Sequence, residues 1–256
     1  MTKLILNGAN GKMGKTIIEL VKTNEKNFNI VYGVDKNTEK NIYNIEIYNN
    51  FKEDIKTDVI IDFSNPDSLE SVLSFSTKTK TPIVIATTGY SQKQIEKIKN
   101  ASKETAIFFT FNMSIGINLL IELVKNSYKI LKNNFDIEII EKHHNQKIDA
   151  PSGTAIMIAN AINEEADGKF EYIYNRQNVR KKRENNEIGI HSIRAGTIVG
   201  EHEVIFSGED ETISISHIAT SKKIFAVGSL KAAEFIKTKK SGLFNMKDLL
   251  VMNKNY

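Results

Sequence analysis

The chain has 256 residues, 40% of them hydrophobic and 26% charged, and a net charge of +4 from 35 basic and 31 acidic residues. That length holds a full core in one or two domains, and so small and dispersed a charge excess argues against a nucleic-acid partner. The absence of cysteine excludes disulfides, thiolate metal ligands and a thiol nucleophile, and no apolar run approaches the roughly 18 residues of a membrane span. Met1 to Leu6 enters a strand at once, without the apolar stretch and cleavage site of a signal peptide, so a cytoplasmic protein is expected.

The first 112 residues alternate strand and helix. Leu4–Asn7 reads as a strand and Lys12–Lys22 as a helix. Between them lies Gly8-Ala9-Asn10-Gly11-Lys12-Met13-Gly14, a G-x-x-G-x-x-G loop one residue wider than the commonest dinucleotide fingerprint. Its glycines permit a tight turn and close backbone approach to a pyrophosphate, and the helix N-terminus behind them faces that anion. Ile30–Val34 is the next strand. Asp35 ends it about 20 residues on, where a carboxylate meets the adenosine ribose hydroxyls, and Lys36 beside it suits a 2′-phosphate. Asp58–Phe63 is near-continuously apolar, as in a sheet covered on both faces. Asn65-Pro66 starts a helix, as N-cap and first-turn proline. After a strand at Ile83–Ala86, Ser91 and Gln94 form a capping box for a helix to Asn100. Ile107–Thr110 is a further strand. The strand ends at Ala86-Thr87-Thr88 and Thr110-Phe111-Asn112-Met113 fall where parallel strands line a cofactor crevice. The pattern predicts an α/β fold: a Rossmann-like, doubly wound parallel sheet.

The texture then changes. A helix is expected from about Gly116 to Lys132, followed by longer strands at Asp136–Glu141, Ile188–Arg194, Thr197–Phe206 and Thr212–Ile218. Several alternate polar and apolar, as in an open sheet with one solvated or partner-covered face. Glu164 to Asn186 is charged and irregular and reads as a long loop. Gly208 to Glu211 reads as a hairpin turn, and Ser221 to Leu250 as helix. The expected division is a dinucleotide-binding domain over 1–114 with 221–256, and an α+β domain over 115–220. Tyr128 and Lys132 form Tyr-x-x-x-Lys on a helix, with Ser114 before them, as in short-chain dehydrogenases. The glycine spacing and the long-stranded region both differ from that group, so Tyr128 is expected to be a helix-face residue.

Glu141 to Ala155 reads Glu-Lys-His-His-Asn-Gln-Lys-Ile-Asp-Ala-Pro-Ser-Gly-Thr-Ala. Two histidines and a lysine are expected on a loop between a strand and a helix start. Such a start presents free N–H groups and a positive dipole to a carboxylate or phosphate. Anion anchoring and proton supply would lie side by side.

Together the glycine loop and this segment closely resemble the dihydrodipicolinate reductase family, whose members carry G-x-x-G-x-M-G and H-H-x-x-K-x-D-A-P-S-G-T-A. The likeness continues through Arg194-Ala195-Gly196, Ile198 to His202, His217, and Ser241 to Asp248, and so spans the chain. The resemblance implies NADH or NADPH as cofactor, a small dicarboxylate substrate, no metal, and a homotetramer built through second-domain sheets. It implies His143 as proton donor, with Lys147 holding a carboxylate and aiding proton delivery. It places His144, Gly153 and Thr154 on the substrate. It places Gly8, Ala9, Asn10, Gly11, Lys12 and Met13 on the pyrophosphate, and Asp35 and Lys36 at the adenosine ribose. Ala86, Thr87, Thr88, Thr110, Phe111, Asn112 and Met113 fall on the nicotinamide side. Gln146 stands where the family often has a second basic residue, and the segment from Lys36 to Phe51 is short for the family. Cofactor and substrate motifs lie on different domains, yet hydride transfer needs reacting atoms about 3–3.5 Å apart. Closure is therefore expected, with hinges near Met113–Ile117 and Thr220–Lys223. Two other readings stay open at this level: another two-domain dehydrogenase of amino-acid biosynthesis, and a dinucleotide-sensing regulator without turnover.

Overall fold

The structure is a computed structural model that describes residues 1–23, 27–39, 43–132, 134–178 and 180–252. In chain order the elements are β1 (Thr2–Asn7), α1 (Lys12–Thr23), β2 (Phe28–Val34), β3 (Ile47–Tyr48), β4 (Val59–Asp62), α2 (Leu69–Thr79), β5 (Ile83–Ile85), α3 (Gln92–Ala101), β6 (Ala106–Phe109), α4 (Ile115–Leu131), β7 (Asp136–His143), α5 (Gly153–Glu165), β8 (Glu171–Ile173), β9 (Glu187–Arg194), β10 (Gly200–Ser207), β11 (Thr212–Ala219), α6 (Lys223–Ile236), β12 (Gly242–Phe244) and α7 (Met246–Met252). The chain divides into two compact units, one of Met1–Ile115 with Lys223–Tyr256, the other of Gly116–Lys222.

The first unit is a seven-stranded sheet in the order β12-β6-β5-β4-β1-β2-β3. All its pairings are parallel. Every residue of β4 and β5 is buried, as a sheet covered on both faces demands. One face packs on α1 and α6 through Ile17, Ile18, Val21, Ala226, Leu230 and Ala233. The other packs on α2 and α3 through Leu69, Val72, Phe75 and Ile98. Ser91 and Gln94 form the expected capping box. Asn65 caps as expected through Asp67 N–H, but a short 3-10 turn at Pro66–Ser68 precedes α2.

The second unit is a five-stranded mixed sheet, β11-β10-β7-β9-β8. β10 runs antiparallel to β7 and β11, while β9 runs parallel to β7 and β8. One face buries Ile137, Ile139, Ile188, Ile190, Val204 and Phe206 against α4 and α5. Tyr128 belongs to this core, edge-on to Phe170 at 5.7 Å between ring centroids. The hairpin turn closes through Gly208 N–H to the Glu211 carbonyl at 2.8 Å.

Four expectations need correction. The helix expected over Ser221–Leu250 ends at Ile236, then yields the short strand β12 and a separate helix α7. Gly242, at φ +125°, makes the turn into β12, and Asn245 accepts Lys247 N–H to start α7. β10 starts at Gly200 rather than Thr197, because Ala195 to Ile198 forms a turn. Glu164–Asn186 is not all loop: α5 runs to Glu165 and β8 pairs with β9. The rest of that segment is clamped by Arg183, which donates to Glu138, Asp136 and the Glu187 carbonyl. Finally, His143 is the last residue of β7 and not a loop residue. Of the short segment between Lys36 and Phe51, residues 40–42 lie outside the described ones.

Candidate active site

The glycine loop lies at the carboxyl end of β1 and turns directly into α1. Gly8 sits at φ +80°, and a Cβ there would come within 2.4 Å of the Phe63 carbonyl oxygen. A Cβ on Gly14 would lie 2.2 Å from the Gly8 carbonyl oxygen and 2.5 Å from that of Ala9. Both glycines are therefore dictated by packing. Gly11 is exposed and meets only one atom, at 3.2 Å, so its bare backbone is open to a ligand. Lys12 and Met13 open α1, and first-turn amides have no intrahelical acceptor. Asp35 ties the loop to β2: one carboxylate oxygen accepts Asn10 N–H at 2.9 Å, the other Asn37 N–H at 3.1 Å. Each oxygen keeps a lone pair for a ribose hydroxyl. Lys36 follows, exposed. The loop, α1 and Asp35 thus fit a dinucleotide, whose pyrophosphate Gly11 to Met13 would hold.

The other positions expected on the cofactor side fall at the ends of β5 and β6. Ala86 and Thr87 are buried and Thr88 is exposed. The Thr87 hydroxyl is turned inward, donating to Asp62 at 2.8 Å and accepting Ser64 N–H at 3.0 Å. Thr110 and Met113 are buried, and Met113 packs into the core. Asn112 accepts Ser114 N–H at 2.8 Å ahead of α4. Phe111 is 62% exposed beside Phe109, a flat apolar surface at the mouth of the sheet. Asp62 was not foreseen. It is fully buried and accepts from Asn7, Ser64 and Thr87, so it straps the ends of β1, β4 and β5 together. Burial raises its pKa against those hydrogen bonds.

In the second unit the core-facing rows of the sheet are apolar until the last two. Ile137 pairs with Ile188 and Phe206, and Ile139 with Ile190 and Val204. Next come Glu141 opposite His202, then His143 opposite Arg194. Glu141 is 0% exposed. Its carboxylate accepts His143 Nδ1 at 2.6 Å, Arg194 Nη1 at 2.8 Å and Nη2 at 2.6 Å, and Ser152 N–H at 3.1 Å. Burial pushes its pKa up, but hydrogen bonds from Arg194, Ser192 and His143 outweigh that and hold it at about 2. Burial lowers the His143 pKa, and the Glu141 carboxylate only partly restores it. The His143 Nε2 faces Gly200, where a Cβ would approach to 3.1 Å.

The chain after β7 turns back on itself, with Lys147 N–H donating to the His144 carbonyl. Lys147 Nζ pairs with Asp149 at 2.8 Å, and Gln146 points to solvent. Arg194 also donates to the Asp149 carbonyl at 2.6 Å. Ser152 caps α5 by accepting Ala155 N–H at 3.1 Å, which leaves exposed Gly153 and half-buried Thr154 at the helix start. His143, His144, Lys147, Gly153 and Thr154 thus fall in one segment, on a strand end, a turn and a helix N-terminus.

Glu141, Ser152, Arg194 and His202 were not foreseen as site residues. The alternation Ile137, Ile139, Glu141, His143 carried the signal for the first. His202, 5% exposed, lies 3.1 Å from the Ser152 hydroxyl and edge-on to the His143 ring. Burial pushes its pKa down to about 4 from an ordinary 6.5, and the neighbouring His143 adds to the effect. Between those values the unfolded chain binds a proton that the folded chain refuses. Stability from this group is therefore complete above pH 6.5 and is lost as pH falls toward 4, on the order of 3 kcal/mol. Urea titrations across that range should show a steeper acid loss for the natural chain than for His202→Asn. Equal slopes would mean that the ring does not stay neutral.

A glycine loop opening the first helix of a parallel sheet, with a carboxylate-held histidine beside a helix N-terminus on a second sheet, defines a nicotinamide-dependent oxidoreductase. A family model described as "Dihydrodipicolinate reductase, N-terminus" matches residues 2–113, and one described as "Dihydrodipicolinate reductase, C-terminus" matches residues 116–250. A 4-hydroxy-tetrahydrodipicolinate reductase of Caldanaerobacter subterraneus subsp. tengcongensis is 51% identical, over 98% of each chain. One from Clostridium novyi (strain NT) is 49% identical, again over 98% of each. The solved structure of a dipicolinate-bound dihydrodipicolinate reductase from Paenisporosarcina sp. TG-14 shares the fold, with a TM-score of 0.80 at 24% identity, covering 96% of this chain and 97% of that one. The chain belongs to the dihydrodipicolinate reductase family and is an NAD(P)H-dependent oxidoreductase.

Proposed function

We propose that this chain reduces 4-hydroxy-tetrahydrodipicolinate to tetrahydrodipicolinate in the diaminopimelate route to lysine. The observation that carries the reading is one segment, His143 to Thr154, which holds a polarised imidazole, a lysine and a capped helix start. It is supported by relatives of that name at about half identity over nearly the whole chain. The first unit binds the dinucleotide, and the second binds substrate and builds the assembly.

Loss of the 4-hydroxyl as water leaves a conjugated cyclic imine bearing two carboxylates. The reduced nicotinamide supplies a hydride when bound. The ring then carries an enamine-like anion and needs one proton at carbon. His143 delivers it from Nε2, since Nδ1 is committed to Glu141. Lys147 leaves Asp149 to hold one carboxylate. The Gly153 amide and the Thr154 hydroxyl hold the other at the positive end of α5, and His144 closes on the substrate from the turn. Both anchors fix the ring in a reactive pose.

Both cofactors should serve, with NADH at least equal. Asp35 accepts from free ribose hydroxyls and repels a 2′-phosphate, while exposed Lys36 offsets that repulsion. Lys36→Ala should raise KM for NADPH and leave NADH little changed in steady-state assays. An equal loss with both would show that Lys36 does not meet the phosphate.

The assembly is a homotetramer formed through the second unit's sheet. In support, β11 is an outer strand with Ile213 and Ile218 exposed, an edge open to pairing. Sedimentation equilibrium should give four times the chain mass, and a monomer would refute it. A biosynthetic reductase drawing on reduced nicotinamide belongs in the cytoplasm.

A further inference from the structure

We infer that Glu141 is a positioning residue that fixes the His143 ring and the substrate-anchoring helix start through a single carboxylate. The inference rests on the proton-donor reading of His143. Four contacts carry it. Oε2 takes His143 Nδ1 and Arg194 Nη1, and Oε1 takes Arg194 Nη2 and Ser152 N–H. These donors come from three places: the end of β7, the end of β9, and the residue that caps α5.

The placement is costly without a purpose. Glu141 sits in a row whose preceding β7 members, Ile137 and Ile139, are apolar and buried. A buried carboxylate is disfavoured unless charge-paired and hydrogen-bonded. Arg194 would by itself satisfy the charge, yet the carboxylate also reaches forward to the ring and sideways to the helix cap. An ionised carboxylate only accepts, so Nδ1 must donate. The neutral ring then carries its proton on Nδ1 and presents Nε2 beside Gly200. When the ring is charged, Nε2 holds the transferable proton.

Arg194 extends the same device. Besides Glu141 it bonds the Asp149 carbonyl, two residues before Pro151-Ser152. Glu141 thereby fixes the chain leading into the helix start at two points, Asp149 through Arg194 and Ser152 directly. His202, directly opposite Glu141 on β10, packs edge-on to the His143 ring and reaches the Ser152 hydroxyl. Ser152 accepts Ala155 N–H and so can give its own proton to His202 Nε2. His143 and Ser152 are thus each held from two strands.

The charged and titratable groups around His143 are Glu141 on its own strand, Arg194 from β9, His202 from β10, and Lys147 on the following turn. Glu141 alone among them is negative and in contact with the ring. Glu141→Gln keeps the shape and removes the charge. Its amide nitrogen must donate where an oxygen accepted: in place of Oε1 it meets Arg194 Nη2 and Ser152 N–H, and in place of Oε2 it meets Arg194 Nη1 and turns the His143 ring to the other tautomer.

The test has two parts. First, nitrogen-15 NMR of histidine-labelled natural chain, with His143 assigned through the His143→Asn variant, should show the neutral ring protonated on Nδ1. A ring protonated on Nε2 would overturn the inference, whatever the activity and whether or not Glu141→Gln folds. Second, Glu141→Gln should lower kcat by about 10²-fold and move the alkaline limb of its pH profile to lower pH, because the imidazolium loses its anion. It should also raise the substrate KM, because Arg194 loses its charged partner and holds the chain at Asp149, ahead of the helix start, less firmly. Full activity with an unmoved profile, while His143→Ala is inactive, would remove Glu141 and leave the proton donor standing. If His143→Ala is itself fully active, the proton-donor reading fails instead.

Discussion

Replacing His143 or Lys147 with alanine should lower kcat by about 10²-fold or more while leaving the melting temperature nearly unchanged. The reason lies in where the two side chains end. His143 closes β7, where its ring contributes little to the apolar rows behind it. Removing it still leaves Glu141 its two bonds from Arg194 and one from Ser152, so no buried charge is stranded. Among the described residues Lys147 pairs with Asp149, whose side chain is mostly exposed, and exposed ion pairs contribute little. The two variants should differ in kind. His143→Ala removes the proton at carbon and lowers kcat, whereas Lys147→Ala also loosens a carboxylate and raises KM. Full activity in both, by steady-state kinetics, would sink the assignment. A large drop in melting temperature would show that these groups hold the fold.

Gly14→Ala should destabilise the first unit by about 3 kcal/mol and abolish dinucleotide binding. The new methyl would lie 2.2 and 2.5 Å from two carbonyl oxygens of the loop. Those oxygens belong to backbone fixed by β1 and by the Gly8 bond to Val34, so neither can retreat as a flexible side chain would. Gly11→Ala is the control. Its methyl meets only the Gly8 carbonyl, at 3.2 Å, so folding should survive while dinucleotide affinity falls. Urea denaturation and fluorescence titration with NADH separate the two effects. Natural stability in Gly14→Ala would mean that α1 approaches the loop less closely than described.

What could be read from the sequence was local. A near-continuous apolar run marked Asp58–Phe63 as a covered strand, found as β4, Ile83–Ala86 read as a strand, found as β5, and Ser91 with Gln94 marked a helix start. The glycine spacing placed the loop between β1 and α1, and Pro-Ser-Gly-Thr placed the start of α5. What escaped depends on register and on partners far along the chain. Arg194 meets Glu141 across 53 positions and Asn7 meets Asp62 across 55. No spacing rule reports such pairs, because they exist only once strands are laid side by side. β3 and β12 escaped for another reason: at two and three residues they are too short for any alternation to show. The long charged segment after α5 hid its order because ion pairs, rather than apolar periodicity, hold it.

The most direct measurement is a coupled turnover assay. The product of dihydrodipicolinate synthase is supplied to the purified chain with NADH or NADPH, and loss of the reduced nicotinamide is followed by absorbance. Steady oxidation is expected with either cofactor, dependent on the synthase product and lost in His143→Ala. A chain that binds the dinucleotide tightly yet oxidises none would be a sensor, and one that turns over only with a different small acid would be another dehydrogenase. Either result would contradict the reading given to His143, Lys147 and the start of α5.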